Sequence, residues 1–147
     1  MRKINLISLV IALPLLAFGN HASAQNNKMK GPANHKMTIK MTGGAETPGP
    51  GDTDGSGMAK LTFNHEKGEV CYTVTTKKVQ AVTAIHIHSG AVGQSGDPKV
   101  TLTPTAKGCV SVDKDLMEDI MKNPANYYIN VHNAEFPNGA LRGQLGK

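Results

Sequence analysis

The stretch "TAIHIHSGAVGQSGDPKVTL", residues 83–102, carries the pattern that decides the fold. Ile85 and Ile87 alternate with His86 and His88, and a glycine-rich segment then leads into a second alternating run. Because side chains alternate across a β-strand, the isoleucines take one face and the histidines take the other. Two short strands separated by turn-forming residues are typical of an antiparallel all-β protein.

The same period of two recurs along most of the chain. Apolar residues alternate with polar ones in eight short segments, and Gly, Pro, Asn and Asp are frequent between them. The predicted strands are Met37–Met41, Ala59–Phe63, Val70–Val74, Val82–His88, Lys99–Thr103, Cys109–Val112, Tyr127–His132 and Ala140–Leu145.

One segment follows the helical period instead. In "DKDLMEDIMKNP", Leu116, Ile120 and Met121 fall on one stripe, Asp113 is placed to cap the first turn, and Pro124 prevents continuation. The sequence therefore predicts an all-β protein, an antiparallel β-sandwich or flattened barrel of about eight strands with one short α-helix.

The first residues indicate export. Arg2 and Lys3 precede an apolar run that ends near Phe18, and Ala22-Ser23-Ala24 fits an A-x-A cleavage site. We expect a signal peptide at residues 1–24, a flexible polar leader at 25–36 and one domain at 37–147. The mature protein is then secreted or periplasmic, with no membrane insertion after cleavage.

Charge and aromatic content argue against a nucleic-acid partner. Without the signal peptide, 14 basic and 11 acidic residues remain, a net charge of +3 that is spread along the chain. The sequence has only three Phe, three Tyr and no Trp to stack on bases.

Cys71 and Cys109 are the two cysteines of the chain. The alternation puts both on non-core faces, and exported proteins form and keep disulfides, so a Cys71–Cys109 bond is the expected state. Its Cα atoms should lie about 4.4–6.8 Å apart. Metal ligation by thiolates is the alternative, although the pair lacks a C-x-x-C spacing.

The histidines are the candidate metal ligands. His86 and His88 lie about 7 Å apart on one strand face, and His132 lies on the non-core face of a later strand, next to inward Val131. Three such imidazoles can chelate one ion, and Cu(II) is the divalent ion that nitrogen ligands bind most strongly. Alternatively, the three rings are solvated, or hydrogen-bond to loops that cover them.

Two motifs give a family resemblance. "TAIHIHSGAVGQSGDPKVTL" and "YYINVHNAEFPNGALRGQL" together resemble the CHRD domain, the module named for chordin and common in bacterial secreted proteins, and "MTGGAETPGPGDTDGSGMAKLTFNHEKGEVCYTV" resembles its entry segment. The resemblance covers residues 37–145. It implies a fold more readily than a function, because the growth-factor-binding modules that accompany these domains in chordin are missing from this single-domain chain.

A weaker likeness joins the chain to Cu/Zn superoxide dismutases, which are β-sandwiches. Those enzymes have an H-V-H strand, a later V-H strand and an arginine near the C-terminus. The likeness implies that His86, His88 and His132 are copper ligands and that Arg142 lies near the metal. Nothing matches the bridging histidine, the zinc loop or the C-terminal cysteine of the dismutases, so the likeness supports a copper-capable site rather than dismutation.

Other polar residues have two interpretations each. Glu135 and Arg142 can line the histidine site, or Arg142 can hydrogen-bond loop carbonyls for a structural purpose. Asp52 and Asp54 are reminiscent of a calcium loop but lack its remaining spacing and terminal glutamate.

Three functions stay open. The first is metal handling outside the cytoplasm, with a copper ion as cofactor. The second is a non-catalytic module that binds an extracytoplasmic protein or matrix partner, its histidines being structural. The third is a dismutase-like redox enzyme, and the sequence assigns no catalytic residue to it.

Overall fold

Within residues 34–146, the part of the chain that the computed structural model describes, there are eight β-strands and one α-helix. This confirms the predicted all-β architecture. The elements are β1 Asn34–Thr42, β2 Ser56–Asn64, β3 Glu69–Lys77, β4 Val82–Ser89, β5 Pro98–Leu102, β6 Lys107–Ser111, α1 Lys114–Lys122, β7 Tyr127–Asn133 and β8 Leu141–Gln144, with 3-10 turns at Gly43–Ala45 and Pro124–Asn126.

The N-terminal boundary differs from the prediction. β1 begins at Asn34, within the segment predicted as a leader, because residues 34–36 pair with the end of β2. The predicted signal peptide and the rest of the leader lie outside the described residues.

All eight strands belong to one antiparallel sheet in the order β5-β4-β7-β8-β1-β2-β3-β6. The outermost strands, β5 and β6, are consecutive in sequence and are joined by only residues 103–106, so the sheet must curl until its ends meet. The Tyr72 hydroxyl donates to the Thr103 carbonyl at 2.8 Å, and the Val74 N–H donates to Ala106 at 2.8 Å. The result is a nearly closed barrel.

The inside of the curled sheet is the hydrophobic core. The alternation predicted from sequence holds, since every second residue of the strands points inward. The largest fully buried side chains are those of Phe63, Met41, Leu61, Ile85, Ile87, Leu102, Met117, Ile120, Ile129, Leu141, Val70 and Val131.

A disulfide joins Cys71 and Cys109, as predicted. The two residues are direct cross-strand partners on β3 and β6, with an S–S distance of 2.08 Å. Their Cα atoms lie 4.0 Å apart, slightly closer than predicted, because directly opposed residues in an antiparallel pair come within about 4.5 Å at non-hydrogen-bonded positions. The bond spans 38 positions and, by loop-closure entropy, contributes about 4 kcal/mol. These sulfurs are therefore not thiolate ligands.

Helix α1 begins where the sequence predicts. The Asp113 carboxylate accepts hydrogen bonds from the N–H groups of Asp115 and Leu116, both at 3.0 Å, and the helix ends before Pro124. The predicted buried stripe is wrong in part, because Met117 and Ile120 are the fully buried pair while Leu116 and Met121 are only half-buried. Leu116, Met117, Ile120 and Met121 are all apolar, so more than one pair could be buried. Packing against the end of the barrel determines that it is Met117 and Ile120.

This packing predicts a difference between two neighbouring substitutions. Met117→Ala should lower the free energy of unfolding by about 2–5 kcal/mol, because it empties a fully buried position. Leu116→Ala should cost less, since its side chain keeps contact with water in the folded state. Urea unfolding of both variants measures this, and an equal or larger loss for Leu116→Ala would contradict the packing described.

Candidate metal centre

The outer face of β4, β7 and β8 is covered by loops. Residues 90–97 fold over it after β4, and the segments after β1 and β7 meet each other where the Asp52 N–H donates to Ala140 at 2.9 Å. Side chains that point away from the core are therefore buried there. We call this set the polar layer, and it comprises Glu46, His86, His88, Tyr128, Asn130, His132, Arg142 and Gln144.

The three predicted histidines come together in the polar layer. β4 pairs with β7 so that His132 lies opposite Ala84, diagonal to His86. His86 Nδ1 and His132 Nε2 are 3.0 Å apart. The centroid of the His88 ring lies 5.4 Å from that of His86 and 6.2 Å from that of His132. One nitrogen from each ring lies within 4.8 Å of the other two, and the rings would have to move closer for all three to lie about 2.0–2.1 Å from one ion.

Backbone carbonyls fix the protons on two of the rings. His88 Nδ1 lies 2.9 Å from the Gly96 oxygen, and His132 Nδ1 lies 3.0 Å from the Pro137 oxygen. A carbonyl only accepts, so both Nδ1 atoms carry the hydrogen and both Nε2 atoms carry a lone pair. His88 Nε2 is buried and has no hydrogen-bond partner among the described residues. Metal-ligating histidines are commonly oriented by such a hydrogen bond from the second ring nitrogen.

The electrostatics of the cluster favour neutral rings. Burial lowers the pKa of each of the three histidines below its ordinary value of 6.5. The neighbouring imidazoles of His132 and His88 lower the pKa of His86 further. At His88 the hydrogen bond to Gly96 opposes the effect of burial, and the His132 ring and the Arg142 guanidinium lower the pKa again. At neutral pH a metal ion would therefore not have to compete with protonation of the rings.

Arg142 is buried among these groups, at 2% exposure. Its guanidinium donates to the Gln94 carbonyl at 2.8 Å and to the Ala91 carbonyl at 2.9 Å, which is the structural one of its two predicted roles. Its Cζ also lies 3.5 Å from the centre of the Tyr128 ring, and that ring stacks on His88 with 4.9 Å between centroids. Arg142 thus holds the loop that supplies the orienting Gly96 carbonyl, and it contacts the Tyr128 ring that stacks on His88.

Sequence reasoning missed Glu46 and Asn130. The Asn130 amide donates to both Glu46 carboxylate oxygens, at 2.7 and 2.9 Å. Burial raises the pKa of Glu46 to about 7, although Arg142 and the hydrogen bond from Asn130 oppose the rise. Alternation alone places Asn130 on the outer face beside His86, but nothing local signals a partner 84 positions earlier.

The remaining candidates lie elsewhere. Glu135 is exposed and its carboxylate accepts a hydrogen bond from Gln80 at 2.8 Å; no contact in the described part of the chain joins it to the histidines. The Asp52 carboxylate accepts a hydrogen bond from the Gly55 N–H at 2.9 Å within its own turn. Asp54 forms an exposed ion pair with Lys78 at 3.7 Å. Neither aspartate contributes to a group of metal-ligating side chains among residues 34–146.

Glu46 predicts a pH-dependent stability difference. A raised pKa means that the protonated carboxyl is favoured in the folded state, so its contribution is fully present below pH 4.5 and is lost as the pH rises through about 7. Relative to Glu46→Gln, the wild type should therefore lose free energy of unfolding between pH 5 and pH 8. Denaturant unfolding across that range measures the difference, with Glu135→Gln, the same substitution at an exposed position, as the matched control. A flat Glu46→Gln difference would count against a buried carboxyl at this position.

Comparison with known proteins places this geometry in context. Residues 37–145 match the family model of the CHRD domain, the same part of the chain over which the sequence motifs show the resemblance. No curated protein and no solved structure matches the chain. In the described residues no helix has the length and apolar character needed to cross a membrane.

Proposed function

The chain belongs to the CHRD-domain family, and we propose that it is an extracytoplasmic protein that binds a transition metal, copper first, for metal handling. The observation that carries the proposal is the convergence of three half-buried imidazoles whose nitrogens lie within 4.8 Å of one another. CHRD domains are an extracellular type of module, and the signal-peptide pattern of residues 1–24 supports export.

The donor set favours copper or zinc over hard cations. Imidazole nitrogen suits both metals, and the Irving–Williams order puts Cu(II) above Zn(II) at a nitrogen site. The protons fixed by the carbonyls of Gly96 and Pro137 assign two ligand atoms, Nε2 of His88 and Nε2 of His132. Without a metal, His86 Nδ1 donates to His132 Nε2, so this hydrogen bond would have to break for His132 to bind an ion. Three protein ligands leave a position open for water or for a ligand of a partner, as transfer or sequestration of an ion requires.

A non-catalytic binding module is the second candidate. Its support is that the same rings already hydrogen-bond to each other and to the carbonyls of Gly96 and Pro137. In that case the histidines fasten the covering loops and the surface of those loops meets a protein or matrix partner. Titration with metal separates the two candidates, and a superoxide assay of the copper-loaded protein tests a dismutase-like activity.

The first test is the affinity for Cu(II). His86→Ala, His88→Ala and His132→Ala should each weaken binding by about 10-fold or more, since loss of groups that merely orient a ligand already costs 10–100-fold. His65→Ala is the matched control, because His65 lies in the turn between β2 and β3, away from the cluster. Competition against a chelator of known affinity gives the constants, and an unchanged affinity in the triple variant would refute the site.

The second test is the dependence of that affinity on pH. Each ring must be neutral to ligate, and the pKa of each histidine lies below the ordinary 6.5. Cu(II) affinity should therefore stay level from pH 8 to about pH 6.5 and fall steeply only below about pH 6. A fall that is already marked between about pH 7 and pH 6.5 would mean that the rings keep the ordinary histidine pKa.

A further inference from the structure

The outer face of β1, β2, β3 and β6 is open, unlike the face that carries the histidines. Its outward positions alternate with the buried ones and hold chiefly lysine and threonine. We call it the lysine face, and its main side chains are Lys36, Lys40, Lys60, Lys77, Lys107, Thr38, Thr42, Thr62, Thr73 and Thr75.

Positive charge is concentrated on this face, although the domain as a whole has no net charge. Residues 34–146 contain 11 basic and 11 acidic side chains, a net charge of zero. The lysine face nevertheless carries five lysines and only one acidic residue, Glu69, at its end. The acidic residues therefore lie mainly on other surfaces, in the loops and on α1.

The charges of the lysine face are not neutralised within the protein. Among the described residues, ion pairs join Lys78 to Asp54 and Lys122 to Glu118. Any further ion pair would involve Glu118. Neither of the two pairs includes a lysine of this face. The five ammonium groups are thus free to meet an external anion.

The lysine face carries a shallow groove and a regular cross-strand row of side chains. A shallow groove of about 310 Å³ runs between Lys36, Thr38, Lys60, Thr62, Cys71 and Thr73. Thr38, Lys60, Thr73 and Lys107 form one row across four strands. Lys60 and Lys107 are two strand spacings apart, about 9.5 Å, a distance near the length of a disaccharide.

We propose that the lysine face binds a linear acidic polysaccharide, which lies across the strands with its anionic groups on the lysines and its hydroxyls on the threonines. Hydroxyl side chains both donate and accept, as sugar hydroxyls do. The composition of the face disfavours other polyanions and partners. Its outward positions include no aromatic residue to stack on bases and no arginine or aromatic anchor for a protein partner. Met58 is its one large apolar side chain, too little for insertion into a lipid surface.

Affinity for sodium polygalacturonate tests the proposal. The triple substitution Lys36→Ala, Lys60→Ala and Lys107→Ala should weaken binding by about 10-fold or more at low salt, and raising the salt should weaken wild-type binding, because exposed charges are screened. The control triple Lys67→Ala, Lys99→Ala and Lys122→Ala removes the same charge elsewhere and should change affinity less than about two-fold. Thr73→Val, which keeps the shape and removes the hydroxyl, should weaken binding several-fold. Thermal unfolding of each variant verifies the fold, which these outward positions leave intact.

Heparin, duplex DNA and phosphatidylglycerol vesicles identify the partner class. Tighter binding to heparin than to polygalacturonate supports the proposal and assigns a sulfated chain. Equal losses in the two triple variants would overturn it, since binding would then follow net charge alone. Tighter binding to DNA or to vesicles would also overturn it, as would undetectable binding to both polysaccharides at low salt.

Discussion

The antiparallel pairing of β4 with β7 is the constraint on which both the core and the candidate metal centre depend. Ile85 faces Val131 and Ile87 faces Ile129 on the inner side, and all four are buried. A slip of one residue would turn these side chains to the outside and the histidines to the inside. The hydrophobic core therefore fixes the register, and the register brings His132 beside His86. The histidine cluster needs no separate folding element, because it lies on the reverse side of a packed apolar pair of strands.

Burial of the polar layer is tolerated because most of its polar groups form hydrogen bonds with each other or with the covering loops. The guanidinium of Arg142 combines hydrogen bonds to two loop carbonyls with the face of the Tyr128 ring, and such pairing offsets the cost of removing a charge from water. His88 Nε2 and Asn130 Oδ1 are exceptions, buried without a partner among the described residues. An unpaired buried acceptor costs about 1–3 kcal/mol. At His88 the unpaired lone pair belongs to the nitrogen that a metal would need, so a bound ion would remove that cost.

Local alternation was enough to predict the strands, the inward residues and the outward placement of the histidines, because each of these follows from a period of two. The disulfide was predicted from the export signal together with the outward parity of the two cysteines. Long-range contacts were not predictable in this way. Glu46 meets Asn130 only because the loop after β1 crosses β7 and β8, and Met117 rather than Leu116 is fully buried because the open end of the barrel selects the helix face. Arg142 was correctly placed on the outer face, yet its burial depends on the loop 90–97, whose path no local pattern specifies.

The position of these sites follows from the size of the barrel. An eight-stranded barrel has an interior just wide enough to be filled by side chains, and here apolar residues of the strands and α1 fill it, so ligand chemistry must use the outside. The outside divides in two because three long connections, residues 43–55, 90–97 and 134–140, fold over β4, β7 and β8, whereas residues 65–68, 78–81 and 103–106 are short turns. The connection that contains α1 closes the end of the barrel instead. Burial on the covered side lowers the pKa of the histidines, while the lysines on the other side are exposed to solvent. One sheet thus presents a neutral nitrogen site and a cationic surface without either disturbing the other.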